Sequence, residues 1–170
     1  SLSDMHGAVT GAIASLKGPL HGGANEAVAH MLNEVGSPDK AEQFIMNKIK
    51  NKELIMGFGH RVYRNGDSRV PTMTEYYYKT AEFYKNKKFP EISKILENTM
   101  LREKNIKPNL DFPAGPTYYI MGFDIDFFTP IFIISRITGW AAHVMEQFDS
   151  NKLIRPLSKY TGAPHRKIEK

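Results

Sequence analysis

The chain has 170 residues, enough for one domain with a core of its own. Hydrophobic residues make up 41% and charged residues 24%, the balance of an ordinary soluble globular protein. The lack of cysteine excludes disulfides, thiol nucleophiles and cysteine-built metal sites, while a formal net charge of +5 suits anionic ligands: nucleic acid, membrane surfaces, phosphorylated cofactors or di-acids.

In chain order, the opening SLSDMHGAVT has no initiator Met and no charged leader before an apolar run, so no signal peptide is expected. It enters helical pattern at once, as a cut chain would. Met5, Ala8, Val9, Ala12, Ile13 and Leu16 form one apolar stripe, Ser3-Asp4 offers caps and Gly18-Pro19 ends the helix. Gly7, Ala8, Gly11, Ala12 and Ala14 keep its surface small, which predicts a tight helix interface. A second helix is expected over about 25–35, carrying Ala27, Val28, Met31 and Leu32. Gly36-Ser37-Pro38 stops it and starts a third, in which Ala41, Phe44, Ile45 and Ile49 share a face.

The loop GFGHRVYRNGDSR follows, rich in glycine and charge. Met73, Tyr76, Tyr77, Thr80 and Phe83 mark a fourth helix; Ile92, Ile95, Leu96 and Thr99 mark a fifth, with Pro90 near its start. Lys107-Pro108-Asn109 breaks the pattern before a short helix around 116–121 and a long apolar one over 129–148. The apolar stretch 127–134 is interrupted by Pro130 and followed by Arg136. A membrane span needs about 20 apolar residues, so this stretch reads as a buried helix. The tail, 157–170, reads as polar and extended. No strand-like alternation and no internal repeat is found, and the fold class is all-α.

Two of the six histidines occupy unusual backbone settings. His21 lies in Gly18-Pro19-Leu20-His21-Gly22-Gly23, directly before a helix, where glycines permit close approach of a ligand. A neutral imidazole at such a helix start can donate to a carbonyl; the competing reading is an incidental His in a glycine-rich turn. His60 lies in Gly57-Phe58-Gly59-His60-Arg61-Val62-Tyr63-Arg64, with Asp67 and Arg69 after it. Guanidinium forks bind carboxylate or phosphate bidentately, so Arg61, Arg64 and Arg69 make an anion receptor, or else a solvated basic loop. No G-K-[ST] follows these glycines and no strand precedes them, so neither a Walker loop nor a dinucleotide fingerprint is present.

Asp111 sits at a chain bend among apolar neighbours, a setting that raises a carboxyl pKa and suits a base. Taken alone, it reads first as a turn or capping residue. Arg136 interrupts an apolar helix and requires a partner or an anionic ligand. Trp140 and His143 read as interior, His6 and His30 lie on helix faces, and His165 is in the tail. No HExxH-type pair supports a metal site built from His21, His60 and Asp111, so no metal is expected.

Together these segments resemble one family. Gly18-Pro19-Leu20-His21-Gly22-Gly23-Ala24-Asn25, Gly57-Phe58-Gly59-His60-Arg61-Val62-Tyr63, Pro108-Asn109-Leu110-Asp111, Ser135-Arg136-Ile137-Thr138-Gly139-Trp140 and Ile154-Arg155-Pro156 resemble successive motifs of citrate synthases. The resemblance implies a citrate synthase-like acyltransferase that condenses an acyl-CoA, acetyl or propionyl, with oxaloacetate, giving citrate or 2-methylcitrate and CoA. The stretch Asp111-Phe112-Pro113-Ala114-Gly115-Pro116 resembles that of some 2-methylcitrate synthases.

By the same resemblance, His21 would donate to the thioester carbonyl, Asp111 would take the proton from the adjacent carbon, and His60 would polarise the ketone. Arg69 and Arg136 would clamp the oxaloacetate carboxylates, joined by Arg155 from the partner subunit of a homodimer. Arg64 would meet a CoA phosphate, with Met56, Gly57, Phe58 and Gly59 lining the adenine region. The CoA thioester is then a substrate and no permanently bound cofactor is implied. A cytoplasmic location is expected, with no nucleic-acid or membrane partner.

The implied organisation is a large-domain helix segment over 1–22 (a dimer-interface candidate), a small domain over 23–115, and the C-terminal part of the large domain over 116–170. The family has another oxaloacetate-binding histidine just upstream of the matched region, so this chain alone is expected to be inactive. Two readings of other kinds compete: a non-catalytic helical module binding CoA or nucleic acid through Lys48, Lys50, Lys52, Lys85, Lys87 and Lys88, and an assembly fragment that only dimerises through its first helix.

Overall fold

The structure, a computed structural model, describes residues 2–63, 65–164 and 166. Helix α1 (Met5–Leu16) opens on Asp4, whose carboxylate accepts from the Gly7 N–H at 2.7 Å. Helix α2 (Ala24–Val35) ends at Gly36, where φ is +74°, and α3 (Pro38–Lys50) carries Pro38 in its first turn. Helix α4 (Val70–Phe83) begins in the same way with Pro71. Helix α5 (Lys88–Lys104) closes on Asn105 in the left-handed region, φ +53°. Helix α6 (Asp111–Ile120), a 3-10 turn (Ile125–Phe127) and α7 (Phe128–Asp149) complete the order. The chain is all-α; the one β contact among the described residues is an isolated antiparallel bridge between Phe58 and Pro108. No described helix is long and apolar enough to cross a membrane.

The core lies among α2, α3, α4, α5 and α6, where Val28, Leu32, Ile45, Tyr77, Ile92, Leu96 and Phe112 close on one another. Helix α6 packs on α2 and α4, α3 packs on α5, and α1 packs on α7. Helix α6 begins at Asp111 rather than near residue 116, so Asp111 is the first residue of a helix and not a free bend. Pro113 falls within the first turn, where no N–H is needed. Pro116 is interior, yet residues 112–117 are all buried, and packing outweighs the one lost helical bond.

Three expectations about burial are corrected. On α4 the inward face centres on Tyr77 and Ala81, while Tyr76 is 57% and Phe83 79% exposed. Helix α7 is not a buried helix: its buried residues are Phe128 and Thr129, and Ile134 is 73% exposed. Apolar content reports what a helix gains by burial, not what lies opposite, and within this chain α7 meets chiefly α1 and the start of α2. His143 is likewise exposed, beside Glu146 at 3.3 Å, and Trp140 is half-buried. Within this chain a Cβ on Gly11 of α1 would meet nothing within 4 Å.

Candidate active site

Four segments converge: the turn before α2, the loop over 57–69, the first turn of α6 and the first half of α7. The turn folds back on α1, with the Gly22 N–H donating to Leu16 O at 2.8 Å. A Cβ on Gly22 would lie 2.6 Å from that same carbonyl, so only glycine allows the approach. The start of α7 is fastened alongside. The Thr129 N–H donates to Glu26 Oε1 at 3.0 Å, and its hydroxyl is shared between the Glu26 carboxylate and Gly22 O. Further along α7, the Phe132 ring meets the His21 ring edge-on at 5.7 Å, and the Arg136 guanidinium lies 4.9 Å from the centre of the Phe132 ring.

The loop is anchored at its base. Gly57, at φ +83°, has no room for a side chain: a Cβ would lie 2.7 Å from Val28 Cγ2. Phe58 packs on Phe112 with ring centres 4.5 Å apart. The Gly59 N–H donates to Lys107 O and the Asn109 N–H to Gly57 O, both at 2.9 Å, which makes the bridge. Asn109 then uses both ends of its side chain. Its Nδ2–H donates to Gly59 O at 2.9 Å, and its Oδ1 accepts from the Asp111 N–H at 3.0 Å.

His60 follows this anchor. Its Nδ1 accepts from the Val62 and Tyr63 N–H groups at 3.0 and 3.1 Å, so the ring proton resides on Nε2, the edge left available to donate. Tyr63 stacks on the imidazole at 4.4 Å and 27°. Arg69 is gripped by buried Asp67 through a two-bond fork, Nε to Oδ1 at 2.9 Å and Nη2 to Oδ2 at 2.6 Å. The fork holds the Asp67 carboxyl below its ordinary range and raises the guanidinium in turn.

His21, His60, Arg69, Asp111 and Arg136 all line one open cleft of about 410 Å³. A second cleft of about 510 Å³ adjoins it through Gly59, His60 and Tyr63. Asp111 is half-buried, and burial raises its pKa; the nearby His21, Arg69 and His60 pull it down by less, and Asp67 adds to the rise. The result is a carboxylate more basic than one in water, facing two imidazoles and two guanidinium groups.

The other expected residues lie elsewhere. Gly59 borders both clefts, but Gly57 is buried, and Met56 and Phe58 pack against the core. Arg155 is exposed in the segment after α7 and does not line the cleft. Arg64 lies outside the described residues. Among the described residues, no group of three His, Cys, Asp or Glu is placed to hold a metal. Asp67 and Asn109 carry functions that sequence reading left unassigned, since both act through contacts that only the folded loop creates.

The family model described as "Citrate synthase, C-terminal domain" matches residues 1–157. The chain belongs to the citrate synthase family. It is 55% identical over 166 residues to a citrate synthase of Mycolicibacterium smegmatis, covering 98% of this chain and 44% of that protein. It is 56% identical over 164 residues to a 2-methylcitrate synthase of Mycobacterium tuberculosis, covering 96% of this chain and 42% of that protein. The chain thus spans less than half the length of these curated relatives. Among solved structures, the Thermoplasma acidophilum citrate synthase, in a ternary complex with carboxymethyl coenzyme A and oxaloacetate, superposes with a TM-score of 0.87 at 38% identity, covering 98% of this chain and 46% of that one.

Proposed function

We propose that the complete polypeptide to which this citrate synthase-family chain belongs condenses acetyl-CoA or propionyl-CoA with oxaloacetate, giving citrate or 2-methylcitrate and free CoA. The observation that carries this reading is the single cleft shared by His21, His60, Asp111, Arg69 and Arg136. Asp111 takes a proton from the carbon beside the thioester carbonyl. His21 donates to that carbonyl oxygen as negative charge grows on it, which a weak carboxylate base requires. The carbon then attacks the oxaloacetate ketone. His60 polarises this ketone through the Nε2–H that its Nδ1 contacts leave free to donate. Water cleaves the thioester of the condensed product and releases CoA.

Arg69 and Arg136 pair with the carboxylates of oxaloacetate, and Arg155 reaches the same ligand from the partner of a homodimer. Arg64 and the backbone near Gly59 serve the CoA. Residues 23–115 act as the small body that closes over 1–22 and 116–170. Because α6 runs unbroken through 115 and 116, we move the end of that body from 115 to Ile120 and place the joint just beyond it, where Gly122 has φ +87°. We assign the reaction to the cytoplasm, a reducing compartment compatible with a cysteine-free chain.

The test is free-thiol release by the complete polypeptide. It should require acyl-CoA and oxaloacetate together, and Asp111→Ala should lower turnover by about 100-fold or more. Undiminished turnover in that variant ends the proposal. Comparing acetyl-CoA with propionyl-CoA assigns the branch, since one methylene in a pocket is worth about 1–3 kcal/mol.

A further inference from the structure

Two of the groups to which the condensation reading gives chemistry, His60 and Asp111, stand 51 positions apart in sequence (111 − 60) on segments with no helix in common. Within the contacts of the site, one side chain touches the backbone of both segments. Asn109 Nδ2–H donates to the carbonyl of Gly59, the residue directly before His60. Asn109 Oδ1 accepts the N–H of Asp111 itself. The Asn109 N–H adds a third tie to Gly57 O at 2.9 Å, and Gly59 is held from its other side by Lys107 O at 2.9 Å.

Gly59 has φ +76°, so the chain turns sharply where it delivers His60 into the cleft. A primary amide donates through its nitrogen and accepts through its oxygen, so a single short side chain can serve both segments at once. Asn109 itself lines the cleft beside both groups it spans, and it is half-buried, which shields its bonds from competing water.

We propose that Asn109 is a positioning residue whose carboxamide sets the separation between the His60 imidazole and the Asp111 carboxylate. This inference rests on the condensation reading for the meaning of that separation, though the tether itself does not depend on it. Asp111 must reach the acyl carbon while His60 holds the ketone that this carbon attacks, so the span between them fixes the approach of the two reacting carbons. A displacement of about 1 Å in such a geometry costs on the order of 100-fold in rate. The Asp67–Arg69 fork is separate from Asn109, so binding of the oxaloacetate carboxylates is left intact when the tether is cut.

The experiment uses two replacements in the complete polypeptide. Asn109→Asp keeps an acceptor for the Asp111 N–H but has no donor for Gly59 O. Asn109→Ser retains a short acceptor and cannot reach Gly59, without adding charge. Both are expected to lower kcat by about 100-fold, with the oxaloacetate KM within about three-fold of wild type. A kcat within about two-fold of wild type in both overturns the proposal, as does a loss that appears entirely in KM.

A second measurement needs no turnover: amide hydrogen exchange across residues 59–63. Exchange there should quicken in Asn109→Ser while the α2 and α6 amides keep their protection. Unchanged exchange across 59–63 also overturns the tether. Should the wild-type polypeptide itself release no thiol, the condensation reading fails, and the exchange result alone then decides whether Asn109 holds the two segments.

Discussion

Asp67, in the loop, and Asp111, at the start of α6, have pKa values displaced in opposite directions, the first by a charged neighbour and the second by burial. The two-bond fork from Arg69 favours the charged form of Asp67, whereas burial disfavours the charged form of Asp111. Both start from an ordinary value of 3.8. Asp67 therefore contributes stability that is present above this value and lost as pH falls through its lowered folded value. Asp111 contributes stability present below 3.8 that is lost as pH rises through its raised folded value.

Urea melts over about pH 3 to 7 should separate the two. Asp67→Asn is expected to cost about 1 kcal/mol near neutrality, a modest figure because Arg69 is half exposed, and to flatten the acid limb. Asp111→Asn should be more stable than wild type near pH 7 and level with it near pH 3, by about 1.4 kcal/mol for each unit of upward shift. A variant at Asp111 that is weaker than wild type at neutral pH would contradict this assignment of burial as the dominant cause. Sequence reading singled out His21, His60, Arg69, Asp111 and Arg136 because glycines, apolar neighbours and clustered charge surround them. Asn109 escaped because its partner carbonyl is 50 residues away, and an asparagine between Pro108 and Leu110 reads as nothing more than a turn.

At the scale of elements, caps and breakers were the legible part. Gly36 and Pro38 stand at the ends of helices because each supplies a backbone geometry that the position requires; Pro71 and Asn105 do the same at the start of α4 and the end of α5, though the sequence reading did not single them out. The start of α6 was misjudged because Pro113 and Pro116 count as breakers locally, while tertiary packing decides the outcome. The inward face of α4 was misjudged for a related reason: with aromatics at 76, 77 and 78, apolar periodicity fits more than one face, and only packing into the core, with the Tyr77 hydroxyl 3.0 Å from Ser93 Oγ of α5, selects Tyr77.

Glycines make this dependence on context measurable. In α6, a Cβ on Gly115 would lie 2.5 Å from Asn25 O, a backbone atom of α2 that cannot swing aside. In α1, a Cβ on Gly11 would meet nothing within 4 Å. Both glycines sit in helices, where alanine is intrinsically better by about 1 kcal/mol. Gly11→Ala should therefore raise the melting temperature, while Gly115→Ala should lower it, overpacking costing about 1–3 kcal/mol and exceeding the gain in propensity. Equal shifts for both variants in a thermal melt would mean that α2 and α6 part without cost.

For the whole molecule, the decisive fact is an imbalance between its two ends. Helices α2 to α6 share one core, but α1 buries Leu16 alone and α7 buries Phe128 and Thr129 alone. Ile134 is 73% exposed, Met145 61%, Leu153 72% and Leu157 97%, so a long apolar surface runs from the middle of α7 into the following segment. Fully burying one such side chain is worth about 1.5–3 kcal/mol, so several left in water create a strong drive to associate. Citrate synthase relatives are more than twice as long as this chain, which covers 44% of the M. smegmatis protein. Both the remainder of such a polypeptide and a second copy are candidates to cover the surface. This 170-residue chain by itself should therefore bind a hydrophobic dye and sediment as concentration-dependent oligomers. Ile134→Asp should weaken both signals and leave the circular dichroism of the helices unchanged, because Ile134 contributes nothing to the core of α2 to α6. A chain that sediments as a monomer at every concentration, with no dye bound, would show that α1 and α7 satisfy their apolar surface against each other.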